Sequence, residues 1–318
     1  MVAVARDGRV VPCASKLPPT RIGARPHERP LSASRLHLAI PKGRMYEGVV
    51  RLLREAGIEL RVGARAYRPV LSLAGFETKI LKPQTIVDML HHGSRDLGFA
   101  GADWVAEKNA DLIEVLDLAL DPVRLVAAAP RELLVNGKLP EGRRWTVASE
   151  YERLTKSWFD RAGLDAEFVR SHGATEVLPP EDADCIVDNT ATGSTLEANG
   201  LEIFDTVMHS STRLWANPVA WADPARRERI EHVAMLLRSV LDARSRVLLE
   251  LNVGTADLER VIAVLPCMKF PTVSALHGGQ GFAVKVAVFR KLVPELIPVI
   301  LRLGGSDILV TEPHQIIA

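Results

Sequence analysis

Apolar segments that fit buried β-strands alternate with helical segments through most of this chain. The segment RLHLAI (35–40) precedes the basic loop PKGR and then MYEGVVRLLREAGI, where apolar residues recur at helical spacing and Gly57 follows as a stop signal. DPVRLVAAAP (121–130) is predicted as a crossover strand, and DCIVD (184–188) as another buried strand. Strands that alternate with helices are typical of parallel sheets, so the sequence predicts an α/β fold. We expect functional residues in the loops that follow the strands, because ligands of open α/β sheets lie there.

The order of segments changes after residue 245. A strand, RVLLELNV, is followed by the helix TADLERVIAVL, the strands PTVSAL and FAVKVAVF, the helix ELIPVILRLGG and the strand DILVTE. Thr255 is placed to cap the first of these helices. The βαββαβ order is that of a ferredoxin-like unit, so a small separate domain is predicted over residues 246–318.

Composition excludes several classes of protein. The chain of 318 residues has 40 Lys and Arg against 39 Asp and Glu, and a net charge of +1 gives no global field for a nucleic-acid partner. Three cysteines without CxxC spacing argue against a disulfide scaffold or a zinc cluster. No apolar run is long enough to predict a membrane span. Residues 1–35 are basic and aperiodic, which predicts a flexible extension without a secretory signal, and we expect a cytoplasmic protein.

The stretch DNTATGSTL (188–196) ends a strand on a carboxylate and then brings hydroxyls and a glycine before a helix. The hydroxyls belong to Thr190, Thr192, Ser194 and Thr195. Free amides at a helix start bind anions, and Gly193 permits close approach of the backbone, so the loop suits a phosphate monoester. It lacks the lysine of a triphosphate-binding Walker A loop. Asp188 is placed to accept hydrogen bonds from sugar hydroxyls, which together predicts a ribose 5-phosphate. The alternative is a plain turn in which Asp188 caps the helix.

Several segments, in order, resemble the long form of the ATP phosphoribosyltransferase family. They are LAIPKGRM (38–45), LKPQTIVDMLHHGSRDLGFAGADWV (81–105), GATEVLPPEDADCIVDNTATGSTLEANGL (173–201), PTVSAL and the terminal DILV. The third is the most specific, because it is similar to the family's signature around the phosphoribosyl-pyrophosphate loop. The resemblance implies a two-lobed core of the periplasmic-binding-protein type and a regulatory domain. The implied boundaries are lobe I at 36–124 and 217–245, lobe II at 125–216, and the regulatory domain at 246–318.

The resemblance also implies the reaction. The family transfers a phosphoribosyl group from phosphoribosyl pyrophosphate to N1 of the adenine of ATP, as the first step of histidine biosynthesis. Pyrophosphate leaves with Mg²⁺ bound to it, so Mg²⁺ is implied as a cofactor carried by substrate and no protein metal site is expected. Catalysis by this route is mainly alignment and electrostatic stabilisation.

The family's functional residues carry over by position. The implied catalytic residues are Asp188, Lys42 and Arg44. The residues implied to bind phosphoribosyl pyrophosphate are Asp188, Thr190, Ala191, Thr192, Gly193, Ser194, Thr195 and Leu196. Those implied to line the cleft toward ATP are Lys42, Gly43, Arg44, Lys82, Asp103, Arg124 and Glu176.

Further implications concern regulation and assembly. Histidine is implied as a feedback inhibitor, with Asn252 and Thr272 lining its site, and the chain is implied to form a homo-oligomer, a dimer or a hexamer. Two features depart from the family pattern: Lys82 stands where an arginine is usual, and Asn189, Thr190 and Ala191 make the loop more polar. Two alternatives stay open. Two α/β lobes with crossover connections also describe a bilobed protein that binds a small ligand without catalysis, and the chain could be a phosphoribosyltransferase for another base.

Overall fold

One eight-stranded sheet forms the centre of the described chain ahead of its C-terminal domain. The computed structural model describes residues 35–63, 67–268 and 270–317. The predicted flexible extension over residues 1–35 lies outside the described residues except for Arg35.

Strands and helices alternate in this part of the chain, as predicted. The strands are β1 (Leu36–Pro41), β2 (Leu60–Arg61), β3 (Val70–Leu71), β4 (Phe76–Leu81), β5 (Leu97–Gly101), β6 (Ile113–Pro130), β7 (Trp145–Ser149), β8 (Ala166–Arg170), β9 (Cys185–Thr190) and β10 (Leu201–Ala216). The helices are α1 (Arg44–Glu55), α2 (Pro83–His91), α3 (Ala102–Glu107), α4 (Glu152–Ala162), α5 (Ser194–Ala198), α6 (Pro218–Ala222) and α7 (Pro224–Ser245). No helix in the described part of the chain has the length and hydropathy to cross a bilayer.

The strand order divides the sheet into two lobes. The order is β4-β1-β5-β10-β6-β9-β7-β8, while β2 and β3 pair with each other. The parallel strands β4, β1 and β5 form the first lobe, and the parallel strands β9, β7 and β8 form the second. The long strands β6 and β10 are antiparallel and run through both. The two-lobed α/β fold is confirmed, although the crossover strand predicted at 121–130 begins earlier, at Ile113, so the implied boundary at 124/125 falls inside it.

Both long strands are irregular where one lobe passes into the other. Ala119 and Asp121 in β6 have φ angles of 51° and 47°, which non-glycine residues rarely adopt. Opposite them, the pairing of β10 shifts register on both sides of Thr212. The Thr212 hydroxyl donates to the Asp121 carboxylate over 2.9 Å. Bulges of this kind bend and twist strands, so the two halves of the sheet need not share one plane.

Helix α1 shows how the sequence builds the core of the first lobe. Val49, Leu52 and Leu53 recur at helical spacing and are fully buried. They pack with α7 against β1. The helix ends at Glu55, and Gly57 then adopts a φ of 78°, the left-handed conformation that glycine takes without steric cost. The stop predicted at this glycine is therefore confirmed.

The C-terminal domain has the predicted βαββαβ order. Its elements are β11 (Arg246–Val253), α8 (Leu258–Ile262), β12 (Thr272–Ala275), β13 (Phe282–Phe289), α9 (Val293–Arg302) and β14 (Gly305–Thr311). The antiparallel sheet has the order β12-β13-β11-β14, and one face packs on the two helices. The cap predicted at Thr255 is wrong, because a turn closed by the Asp257 amide and the Gly254 carbonyl (3.1 Å) precedes the helix.

Candidate active site

The carboxyl ends of the parallel strands in the two lobes face each other. Strand β5 runs toward the second lobe, and its last residue, Gly101, pairs with Thr212 of β10. Strand β9 runs the opposite way, and its last residue, Thr190, pairs with Arg124 of β6. The loops that follow the strands of both lobes therefore meet across one cleft, which is where ligands of open α/β sheets bind.

Thr190 and Gly193 shape the turn after β9. Gly193 has a φ of 92°, and its amide donates to the Thr190 hydroxyl over 2.9 Å. A Cβ at position 193 would also lie 3.2 Å from Cδ1 of Ile203. Thr190 was predicted as a ligand-binding hydroxyl, but its side chain is buried and accepts the bond that closes the turn.

The remaining loop residues present polar groups outward. Ala191, Thr192, Ser194 and Thr195 are exposed, and the hydroxyls of Thr192 and Ser194 are 2.9 Å apart. The Leu196 side chain packs in the core of the second lobe, so only its backbone is available to a ligand. Within the described chain the amides of Thr195 and Leu196 have no hydrogen-bond acceptor. These two amides and the adjoining hydroxyls form a small donor-rich surface that suits an anion.

Asp188 lies at the carboxyl end of β9, next to this loop. The pKa of its carboxyl is raised from 3.8 to about 6, mainly by burial; the backbone amide of Asn189 opposes the rise by donating to the carboxylate, and the carboxylates of Glu176 and Glu150 add to it. That amide lies 2.7 Å from Oδ1. The fold thus brings predicted residues Asp188 and Glu176 together, and it adds Glu150, at the end of β7, which sequence reasoning missed.

Arg124 occupies a row of side chains that crosses three strands. It pairs with Thr190 of β9 on one side and with His209 of β10 on the other. Directly paired residues of antiparallel strands share a face of the sheet. His209 is exposed beside the predicted Arg124 and was missed, because the sequence gives no signal for which residues of two long strands pair.

A cationic pocket lies at the carboxyl ends of β1 and β4 in the first lobe. Its volume is about 370 Å³, and among its described lining residues are four cations and no carboxylate. The four are Lys42, Arg68, Lys79 and Lys82. The neighbouring Arg95 lowers the pKa of Lys79, and burial and Arg68 add to this effect. Glu77 opposes the lowering only in part. Crowded cations in a pocket with no carboxylate among its described lining residues favour binding of an anion.

The predicted residues of the first lobe divide around this pocket. The structure brings Lys42 and Lys82 together in it, whereas Gly43 and Arg44 are exposed at the start of α1 and are not among its lining residues. Arg68 and Lys79 were missed. Lys79 lies in the middle of a strand, where the sequence pattern gives no sign that it reaches a site.

Asp103 was predicted to line the cleft, but its carboxylate is buried. It is 5% exposed, and hydroxyls of the protein occupy both carboxylate oxygens. Ser210 donates to Oδ1 and Tyr151 donates to Oδ2, each over 2.7 Å. Asp103 therefore joins the first lobe to Tyr151 of the second lobe instead of facing a ligand.

The two predicted effector residues lie on the open face of the C-terminal sheet. Asn252 pairs with Ala283 of β13 and donates to the Asp307 carboxylate over 3.1 Å. Thr272 lies on the edge strand β12, paired with Lys285. Alternate residues of β11 point away from the helices, which places Asn252 and the Lys285 row on the same face.

Among the described residues, no group of three or more His, Cys, Asp or Glu side chains has an arrangement that could hold a metal ion.

Family models and curated relatives indicate the same family for this chain. The ATP phosphoribosyltransferase family model matches residues 82–239, and the model of the HisG C-terminal domain matches residues 243–314. ATP phosphoribosyltransferase of Pelotomaculum thermopropionicum is 38% identical over 281 residues, which cover 86% of this chain and 96% of that protein. The enzyme of Chlorobium chlorochromatii is 37% identical over 279 residues, which cover 86% and 94%.

A solved structure supports the same relationship. The ATP phosphoribosyl transferase (HisG:HisZ) complex from Thermotoga maritima contains a chain that aligns with a TM-score of 0.57 and 29% identity, covering 65% of this chain and 98% of that one. Identity over most of the chain, a matching core and a matching C-terminal domain agree. This chain therefore belongs to the ATP phosphoribosyltransferase family, in its long form.

Proposed function

We propose that the chain transfers a phosphoribosyl group from phosphoribosyl pyrophosphate to N1 of the adenine of ATP, as the first step of histidine biosynthesis. Membership of the family supports the activity. The observation that carries the placement of substrates is the cleft itself, where an anion-binding loop and Asp188 of the second lobe face the cationic pocket of the first lobe.

The donor's ribose 5-phosphate is assigned to the second lobe. The amides of Thr195 and Leu196 and the exposed hydroxyls of Thr192, Ser194 and Thr195 would donate to the phosphate oxygens. Asp188, at the end of the strand, would then accept hydrogen bonds from the ribose diol. Carboxylate acceptors make the stronger class of hydrogen bond, which favours one orientation of the sugar.

The polyphosphate groups are assigned to the first lobe. Lys42, Arg68, Lys79 and Lys82 surround a volume of about 370 Å³, and cations aimed at a departing diphosphate stabilise the charge that grows on it. Of these, Lys42 and Lys82 were already implied by the sequence. Lysine at position 82 supplies a point charge in place of the planar fork of arginine.

Proposals about other components rest on family resemblance. Mg²⁺ would enter bound to the diphosphate of the donor and is treated as part of the substrate. Histidine would bind the open face of the C-terminal sheet near Asn252 and Thr272 and inhibit the reaction. The active form would be a homo-oligomer in the cytoplasm.

The activity is tested by incubating the full chain with phosphoribosyl pyrophosphate, ATP and Mg²⁺. We expect release of pyrophosphate together with a product whose mass is that of ATP plus the phosphoribosyl group. Replacing ATP by GTP, CTP or UTP should abolish both signals. Binding of the donor in calorimetry without any pyrophosphate release would refute the proposal, and equal rates with another base would refute the assignment of the acceptor.

The cleft assignment has its own test. Thr195→Val removes a hydroxyl from the loop and should raise KM for phosphoribosyl pyrophosphate. The exposed Thr206 in β10 gives a matched control, Thr206→Val. The same KM for both variants would mean that the loop does not hold the phosphate.

A further inference from the structure

Tyr151 is a buried side chain that joins the two lobes. It is 0% exposed, although it belongs to the connection between β7 and α4 at the cleft. Its hydroxyl donates to Oδ2 of Asp103 over 2.7 Å and accepts from Nδ2 of Asn189 over 3.0 Å. Asp103 belongs to the first lobe and Asn189 to the second, so one phenol oxygen connects both.

The connection continues to the proposed ribose-binding carboxylate. Asn189 uses its side chain to bind Tyr151 and its backbone amide to bind Oδ1 of Asp188, over 2.7 Å. On the other side, the Asp103 carboxylate is held by Ser210 of β10. An unbroken set of hydrogen bonds therefore runs from β10 through Asp103, Tyr151 and Asn189 to Asp188. Connected hydrogen bonds of this kind hold the side chains that they join in one arrangement.

The surrounding contacts fix Tyr151 independently of its hydroxyl. Its ring stacks on Trp104 of α3, with centroids 4.6 Å apart and planes inclined by 28°. The Glu107 carboxylate accepts from the amides of Arg153 and Leu154, at 3.1 and 3.0 Å, and so caps α4 from the other lobe. The Arg153 side chain also donates to the Ala106 carbonyl over 2.8 Å. Helices α3 and α4 therefore form a joint that holds the tyrosine in place across the cleft.

The state of the hydroxyl is defined by its neighbours. Burial raises the pKa of Tyr151 well above its usual value, and the Asp103 carboxylate adds to the rise. The phenol consequently stays protonated at neutral pH and donates toward Asp103. Its lone pairs are left to accept from the side-chain amide of Asn189. The Tyr151 hydroxyl therefore donates to Asp103 and accepts from Asn189.

We propose that Tyr151 is a positioning residue for the transferase reaction, which couples the relative placement of the two lobes to the orientation of Asp188 through Asn189. The inference rests on the proposed function, because Asp188 is the group taken to hold the ribose. Tyr151 does not touch the substrate. When the joint between α3 and α4 is formed, Tyr151 holds the side chain of Asn189, and the backbone amide of Asn189 points at Oδ1 of Asp188. The second carboxylate oxygen of Asp188 is left for the sugar.

The test compares Tyr151→Phe with the wild-type enzyme at saturating ATP, phosphoribosyl pyrophosphate and Mg²⁺. The variant keeps the ring that stacks on Trp104 and removes the hydroxyl. We expect kcat to fall at least tenfold while KM for ATP changes less than threefold. Asn189→Ala removes the same hydrogen bond between residues 151 and 189 from its other end. The kcat of the double variant, Tyr151→Phe with Asn189→Ala, should therefore be no lower than that of the slower single variant.

A second readout separates positioning from general destabilisation. Glu176 and Glu150 favour protonation of the Asp188 carboxyl, and the backbone amide of Asn189 opposes it. Arg124 lies on the same face of the sheet, opposite Thr190, two residues along β9 from Asp188. Releasing Asn189 should therefore move the acid limb of kcat/KM to higher pH in Tyr151→Phe and in Asn189→Ala. Trp158→Phe is the matched control, because it removes another buried donor to a carboxylate of the second lobe, Asp205, at 2.8 Å. It should lower the melting temperature without moving that limb.

The outcomes distinguish the two proposals. If Asp188→Asn leaves the rate unchanged, the proposed function of Asp188 fails. If Asp188→Asn slows the reaction but Tyr151→Phe and Asn189→Ala keep wild-type kcat and acid limb, only the positioning role is overturned. Should Tyr151→Phe not fold, Asn189→Ala decides the question alone by the same two measurements.

Discussion

Replacing Asp188 by asparagine should stabilise the ligand-free protein while it inactivates the enzyme. The environment raises the pKa of this carboxyl from 3.8 to about 6, mainly through burial. The folded protein therefore binds this proton more tightly than the unfolded chain does. Between these two pKa values the free energy of unfolding falls as pH rises, because ionisation is easier in the unfolded state.

The size of the effect follows from the shift. A rise of the pKa from 3.8 to about 6 corresponds to about 3 kcal/mol of native-state stability lost above pH 6. This is an upper limit, since water that reaches a partly exposed carboxylate lowers the cost. Asparagine has a similar shape and no charge, so it removes the penalty at pH 8. It changes little below about pH 3, where the aspartic acid is largely protonated in both states.

Chemical denaturation of the ligand-free protein at several pH values measures this difference. We expect Asp188→Asn to exceed the wild type by about 2–3 kcal/mol at pH 8, with the gap closing toward about pH 3. Asp182→Asn, an exposed change of the same charge, is the control and should show no such trend. A gap that stays constant with pH, or a variant that is less stable at pH 8, would refute the reasoning.

The activity of the same variant should move in the opposite direction. Loss of the carboxylate should lower kcat/KM at least tenfold, which is about 1.4 kcal/mol. Hydrogen bonds from the ribose diol favour the ionised form of the Asp188 carboxyl, so binding of phosphoribosyl pyrophosphate should release a proton. The affinity for phosphoribosyl pyrophosphate should therefore decrease as pH falls below about 6. Calorimetry in buffers of different ionisation enthalpy measures that proton.

Other predictions address the first lobe, the joint between the lobes and the extension. Lys79→Met should raise KM for ATP or for the donor about tenfold, about 1.4 kcal/mol, and the exposed Lys138→Met should leave both unchanged in steady-state kinetics. Glu107→Ala removes the acceptor that caps α4 and should lower the free energy of unfolding by about 1 kcal/mol in urea titrations; an unchanged midpoint would contradict the capping role. Deleting residues 1–30 should leave kcat unchanged, and loss of folding would show that this extension is structural.

Local sequence signals predicted the elements well where a short segment decides its own structure. Apolar spacing and Gly57 defined α1, and the loop after β9 was identified by residue type. The cap at Thr255 failed because the turn before α8 is closed by the Asp257 amide and the Gly254 carbonyl. Asp257 then pairs with Arg260 within the first turn, over 2.7 Å, and packs against Gly304, which is distant in sequence. A capping residue is only one of several groups that can end a turn.

The site was harder to predict where it depends on pairing between distant strands. Lys79 lies within a strand, and nothing in its neighbours reveals that β4 borders the cationic pocket. Asp103 was identified as important, but its role changed once Tyr151, 48 residues away, was seen to satisfy it. Residue type indicates that a carboxylate is functional or buried, and only the fold decides which partner it has.

The two sides of the cleft carry opposite charge, and this separation fits the proposed reaction. Asp188, Glu176 and Glu150 lie near the assigned ribose, where positive charge grows as the bond to pyrophosphate breaks. The cationic pocket lies in the facing lobe, where the negative charge of the leaving group grows. Both sites cost the empty protein free energy: burial, with a smaller contribution from neighbouring carboxylates, raises the pKa of Asp188, and Arg95, with burial and Arg68, lowers the pKa of Lys79. Preorganised charge stabilises a transition state because it is already oriented before the reaction, so the instability of the empty cleft and its catalytic power have the same physical origin.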